Sequence, residues 1–348
     1  MKKNFLVLFL TLLMAGFSVP ALAAGQLVVF MWPEYIDPEL IADFEKKHDL
    51  KVVFDYYESN EEMASKLQGG GLGKYDIIMP STYIVPSLLN LKMLQALDPA
   101  LIPNLKNISP EFQGMEVDPG LKYTVPYLWG VSGLAVRADD PAAVEPTWGL
   151  IFDPAKELGP FVILDNARDA LGGALKYLGY SLNATDPAQI KEAAELLIAA
   201  KKRASFIGFY GGVGALEKLM SGTAVLTQAY SGEAGRIGQE EEGMRFFLPL
   251  EGGEIWTDLV AIPAQAPNLE AAHKFINFIM EPEVAAKIAV YNQCATPNEA
   301  AKAFIPKEDL ENTMMYPSGE ALEKLEYIKD IGPANRLYDE AWTMIKTR

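Results

Sequence analysis

Short apolar runs alternate along this chain with stretches in which apolar residues recur every three or four positions. Gln26–Met31 (QLVVFM) is almost continuously apolar and predicts a buried strand. Asp37 then precedes Pro38, and Leu40, Ile41 and Phe44 follow at helical spacing. That pattern predicts a capped helix with proline in its first turn. Lys51–Tyr56 (KVVFDY) predicts a second strand, Asn60 the start of a short helix pairing Met63 with Leu67, and Tyr75–Met79 (YDIIM) a third strand. A parallel βαβαβ start is the simplest reading. The same grammar returns later. Phe161–Leu164 (FVIL), Ala224–Thr227 (AVLT) and Trp256–Ile262 (WTDLVAI) predict strands. Asp186-Pro187 opens a long helix with Ile190, Ala194, Leu197 and Ala200 inward. Leu269–Met280 and Pro282–Tyr291 predict consecutive helices, and Ser318–Lys346 a helical tail broken at Gly332-Pro333. The expectation is α/β architecture in two lobes without a long Pro/Gly linker. The chain is expected to cross between lobes in Leu134–Arg137 and Leu259–Pro263. The lobes would then be 24–133 with 259–302, and 134–258 with 303–348, able to close about a hinge.

The first residues read as an address. Met1-Lys2-Lys3 is followed by an apolar run over Phe5–Met14 and by Ala21-Leu22-Ala23. A basic start, a short apolar segment and a small-x-small site make a secretory signal, residues 1–23, cleaved after Ala23. The run is short of the ~20 apolar residues a span needs. No cysteine follows it that could carry a lipid. The expected product is exported and soluble.

Composition narrows the chemistry. Acidic residues outnumber basic ones 46 to 30, for a net charge of −16. That excess argues against nucleic acid, whose phosphates need a basic surface. A single cysteine excludes an internal disulfide and a cysteine zinc site, and two histidines leave little for a histidine metal cluster. No cofactor and no metal are expected. Most of the acidity is solvated surface, but a negative field also draws in cations.

Ligands of open parallel sheets bind beyond the carboxyl ends of the strands. Five such positions carry an aromatic, a carboxylate or both: Trp32-Pro33-Glu34-Tyr35, Ser81-Thr82-Tyr83, Asp165-Asn166-Ala167-Arg168-Asp169, Tyr230-Ser231-Gly232-Glu233 and Trp256-Thr257-Asp258. Taken singly, an aromatic there is core packing and an acid such as Asp165 is a helix cap. Together they suit an elongated organic cation. Rings offer cation–π contacts of ~0.5–2 kcal/mol each, and carboxylates supply the partners a buried ammonium needs. An anion would instead want basic residues or glycine-rich helix starts, and Arg168 is the one basic exception. Catalytic signatures are weak. Gly69–Lys74 fails phosphate-loop spacing at Gln68 and Tyr75, and reads as a turn. Ser231, flanked by Ala229 and Glu233, fails the nucleophile elbow. His48 reads as a solvated helix end, His273 as a helix-face residue and Cys294 as a small buried one. Glu34, Asp169, Glu233 and Asp258 could supply a glycosidase-type pair, but nothing separates an acid from a base.

At these residues the sequence resembles the periplasmic spermidine/putrescine-binding proteins of ABC importers. The matching stretches are Trp32–Tyr35 (WPEY), Tyr57–Glu61 (YESNE), Tyr75–Tyr83 (YDIIMPSTY), Tyr123–Gly130 (YTVPYLWG), Leu178–Pro187 (LGYSLNATDP), Glu251–Asp258 (EGGEIWTD) and Thr296–Asn298 (TPN). The resemblance implies a type II binding-protein fold with two lobes and a hinged cleft, a periplasmic location, a polyamine ligand, a monomer, and a membrane permease and ATPase as partners. It implies no catalysis. Carried over, Trp32, Tyr35, Tyr83 and Trp256 are the aromatic box, with Tyr230 where a Trp is usual. Ser81 is a polar contact, Asp258 holds an amine, Glu34 is an acidic first-loop position, and Asp169 matches a Glu one methylene longer. Asn166 stands where the spermidine-preferring branch has Asp, Cys294 where it has Tyr, and Ile328 near its Gln. Glu233 is acidic, as in the putrescine-specific branch. The set Glu34, Asp169, Glu233 and Asp258 tilts the expectation to a diamine. Two alternatives remain: a same-fold receptor for an amino-acid derivative or opine, with Arg168 on its carboxylate, and an exported carboxylate-based hydrolase.

Overall fold

The structure is a computed structural model describing residues 25–238, 243–317 and 320–348. The expected signal segment lies outside the described residues. Among the described residues, eleven strands form one sheet. In chain order they are β1 (Gly25–Met31), β2 (Leu50–Tyr56), β3 (Ile77–Ile78), β4 (Leu94–Gln95), β5 (Thr124–Arg137), β6 (Phe161–Leu164), β7 (Phe206–Tyr210), β8 (Leu226–Tyr230), β9 (Met244–Phe247), β10 (Gly253–Pro263) and β11 (Leu325–Tyr327). The spatial order is β2-β1-β3-β10-β5-β8-β6-β7, with β4 and β11 on β10 and β9 on β5. β1 runs parallel to β2 and β3, and β6 parallel to β7 and β8. Between these parallel ends, β10 and β5 pair antiparallel over Glu254–Ala261.

Helix signals in the sequence hold where capping is local. Asp37 accepts from the Glu39 N–H at the head of the helix Pro38–His48, whose Leu40, Ile41 and Phe44 are buried. Asp186 likewise caps Pro187–Lys201, with Ile190, Ala194, Leu197 and Ala200 inward. At Asp165 the expectation fails. Asn166 caps the helix Ala167–Tyr177, while both Asp165 oxygens accept from Lys346. The tail is not simply helical, because Leu325–Tyr327 joins the sheet as β11 before the helix Asn335–Thr347. His48 ends its helix as expected. His273 is buried, and its Nε2 accepts from the Asp98 N–H.

Two large groups of core side chains flank the sheet. Val29, Phe44, Val125, Leu128, Val260 and Phe275 belong to the first. Leu134, Trp148, Phe161, Leu175, Leu197 and Tyr338 belong to the second. The long strands pass between them. On β5, Val125 and Leu128 sit in the first group, whereas Leu134 and Val136 sit in the second. On β10, Ile255 packs with Val131 and Ala229, whereas Val260 and Ile262 return to the first group. The β10–β5 register slips between Asp258 and Leu259. Such bulges re-aim side chains beside functional sites.

Candidate ligand site

A cavity opens where the two core groups meet. From the first side it is lined by Trp32, Tyr35, Ser81 and Tyr83. From the second it is lined by Asn166, Asp169, Tyr230 and Glu233, with Trp256 and Asp258 from β10 between them. Every site residue expected from the sequence lines it except Glu34. That side chain is largely exposed and lies 3.6 Å from Arg236, another cavity residue. Glu58, Asn60, Glu254, Arg236, Asn292 and Cys294 also line the cavity and were not singled out as ligand contacts from the sequence.

Asp258 is the most constrained acid. It sits at the register slip and bridges to Ser81 through the backbone. Ser81 Oγ donates to its Oδ1 at 2.6 Å, and the Tyr35 hydroxyl to its Oδ2 at 2.7 Å. Asn60 fixes Ser81 from behind, donating to its Oγ and accepting from its N–H, each at 3.0 Å. Tyr127 and Asn292 both donate to the Tyr35 carbonyl and hold that loop. Burial pushes the Asp258 carboxyl up to about 6, although both hydroxyl donors pull the other way. Its donors are neutral, so the charge is left for something else to balance.

The opposite side holds a second cluster. The Tyr230 hydroxyl donates to Asp169 Oδ2 at 3.1 Å. Ser132 Oγ lies 3.4 Å from Asp169 Oδ1 and 3.0 Å from Glu254 Oε2. Burial raises both carboxyls, Glu254 the further, with Asp169 adding to its rise. Glu233 Oε2 is buried without a hydrogen-bond partner among the described residues. Burial pushes Glu233 to about 7, against the pull of Arg236. A methyl group at Gly212 would stand 2.2 Å from that oxygen, so only glycine leaves the carboxylate its place.

The aromatic walls are positioned by packing. Trp32 meets Tyr57 edge-on at 4.5 Å, and Tyr230 meets Trp256 edge-on at 6.3 Å. Arg168, the basic contact expected for a carboxylated ligand, does not line this cavity. Its guanidinium donates to Asn183 Oδ1, Asn335 Oδ1 and the Lys329 carbonyl, and lies 4.7 Å over the Tyr338 ring. Among the described residues, no group of three or more His, Cys, Asp or Glu could hold a metal ion.

Residues 39–314 match the family of bacterial extracellular solute-binding proteins. This chain belongs to that family. It is 34% identical to the spermidine/putrescine-binding periplasmic protein of Salmonella typhimurium, over 92% of this chain and 91% of the relative. It is 32% identical, over the full length of both, to the putrescine-binding periplasmic protein SpuD of Pseudomonas aeruginosa. A solved structure of a putative spermidine/putrescine ABC transporter from Listeria monocytogenes superposes with a TM-score of 0.85. It is 34% identical, covering 93% of this chain and 99% of that one. The α/β architecture is that of the periplasmic binding proteins. Among the described residues, no helix of this solute-binding chain is long and apolar enough to cross a membrane.

The buried acids of this family member predict a pH dependence. Asp258 and Glu233 ionise near 6 and 7 folded, against 3.8 and 4.5 as reference values. Between those values the native state holds protons that the unfolded state has lost. Stability therefore declines as pH rises through that window. Asp55 and Glu45 are shifted down and act in the opposite sense, at lower pH. Melting of the empty protein is expected to fall from about pH 5 to about pH 7.5, and a bound cation to remove the fall. Melting curves at several pH values, with and without ligand, check this.

Proposed function

We propose that this chain is the receptor of an ABC importer, exported to the periplasm, and that it binds a linear polyamine, a diamine foremost. The observation that carries the reading is Asp258. It is a buried carboxylate with neutral donors, at the centre of a cavity walled by Trp32, Tyr35, Tyr83, Tyr230 and Trp256. Such walls suit methylenes and ammonium groups, and the acid supplies the counter-charge. Arg168 is bonded to Asn183, Asn335 and the Lys329 carbonyl behind the cavity wall, and Arg236, which does line the cavity, is engaged by Glu34; both count against a carboxylated ligand. The names of the relatives support the amine.

The packing supports lobes that exchange in β5 between Leu128 and Val131, and in β10 between Ile255 and Leu259. An amine first meets Asp258, Tyr35 and the first-lobe aromatics. Closure then brings Asp169, Tyr230 and Glu233 to it. Only such added contacts can favour the closed form, which a permease would read. The receptor acts as a monomer, without chemistry on the chain.

Calorimetry on residues 24–348, unfolded and refolded to strip carried ligand, tests the reading. Putrescine, cadaverine, spermidine and spermine are titrated, with γ-aminobutyrate as the zwitterionic control. One-to-one binding of an amine with a silent control is expected. Silence from all four amines overturns the assignment. Glu34→Ala is expected to change amine affinity less than about fivefold, because an exposed ion pair contributes only ~0–1 kcal/mol. A larger loss in the same titration would place Glu34 on the ligand.

A further inference from the structure

β10 places Glu254, Trp256 and Asp258 on one face, since alternate residues of a strand point the same way. With ~3.4 Å per residue, the outer two stand roughly 14 Å apart at their Cα atoms. An indole lies between two acid poles. The pole at Asp258 has two hydroxyl donors. The pole at Glu254 is different, because Glu254 and Asp169 converge on one hydroxyl: Ser132 Oγ lies 3.0 Å from Glu254 Oε2 and 3.4 Å from Asp169 Oδ1. Ser132 approaches both, but its hydroxyl carries one hydrogen, and ionised carboxylates only accept. Tyr230 gives Asp169 a donor of its own, but two buried carboxylates converging on one Ser132 oxygen repel each other when both are ionised, and a shared proton relieves that repulsion.

We propose that Glu254 and Asp169 form a proton-exchange subsite: a primary ammonium docking there displaces the proton the two acids share. The proton leaves Glu254 for solvent through the cleft, no covalent bond to carbon changes, and the ammonium takes over neutralisation of the pair. This deepens the polyamine reading and rests on it. The surroundings are consistent. Tyr230 donates to Asp169 from β8, and the Gln228 side chain donates to the Asp169 carbonyl. Arg168 and Lys176, from the helix Ala167–Tyr177, line a small cavity directly behind the pair. Lys176 is held at 2.8 Å by Glu326, the β11 residue opposite Glu254 in register. On the cleft side the cavity's other charged residues are Asp258, Glu233, Glu58, Asp165 and the cation Arg236, with Glu61 behind the Tyr83 hydroxyl; the excess of acids disfavours a second anion until a cation arrives.

The slope of log affinity against pH equals the number of protons released on binding. Putrescine binding is measured between about pH 5.5 and 8.5 on the wild type and on Glu254→Gln, which keeps a donor but cannot ionise. The slope is expected to fall by up to one unit in Glu254→Gln near neutral pH, while Asp258 and Glu233 still contribute in both. Equal slopes overturn the proposal. If Glu254→Gln does not fold, carboxyl 13C shifts of the wild-type chain decide it: Glu254 should move from acid to carboxylate on adding putrescine, and an unmoved resonance overturns the exchange. A wild type that binds no amine at any pH would instead sink the polyamine reading itself.

Discussion

Replacing Asp258 with Asn is expected to weaken amine binding roughly 10- to 150-fold, the range of one charged hydrogen bond at ~1.5–3 kcal/mol. The same change is expected to leave the empty protein at least as stable. Asn is isosteric, and its amide oxygen can still accept from Ser81 or Tyr35. What disappears is a negative charge that burial already disfavours in the absence of ligand. Those opposite signs distinguish a ligand contact from a structural acid. A structural carboxylate held by two hydroxyls at 2.6 and 2.7 Å would lose stability on substitution. A poised counter-ion loses only binding. Calorimetry and melting of the same variant read both, and unchanged affinity would remove Asp258 from the ligand. Ser81→Ala should have a smaller effect, because Tyr35 still orients the carboxylate.

The separation between what the sequence revealed and what it concealed follows sequence distance. Phe161–Leu164 was legible to the residue because a fully buried parallel strand is a continuous apolar run. The loops that line the cavity were legible because aromatics and acids recur after strand ends. β5 was not, because Pro126, Gly130 and Gly133 interrupt its fourteen residues. In the fold each interruption has a partner. Pro126 lies at the register slip, and Gly130 sits under the Trp256 ring, where a methyl group would stand 2.4 Å from the indole. Asp165 and Asn166 are equally good caps by residue type, and only Lys346, far along the chain, decides between them. Glu254 reads as one more acid in a Gly-rich turn. Its burial and its pairing depend on Ser132 and Asp169, neither adjacent in sequence.

The same dependence on distant contacts makes Gly232 the most sensitive backbone position of the cleft. Gly232 opens the helix Ser231–Gly238, whose Ala234 packs with Val131 and Ile255. Opposite it lies Cys294, which packs with the first core group. A Cβ at 232 would stand 2.1 Å from Cys294 Sγ and 2.6 Å from the Asn292 carbonyl. Real Cβ contacts do not fall below 3.0 Å, so Gly232→Ala must separate the two surfaces locally. Neither core need change, and the melting temperature of the empty protein should move little. On the proposed two-lobe reading the cost falls on closure. With the seam propped, Glu233 cannot approach a ligand held by Asp258, and losing one charged contact weakens binding by at least about tenfold. Small-angle scattering should show the wild type compacting with putrescine and Gly232→Ala failing to do so. Adding Cys294→Ala removes the sulfur but not the Asn292 carbonyl, so recovery should be partial. If Gly232→Ala binds and compacts like the wild type, this seam is not a contact of the closed receptor, and closure must proceed about a different surface.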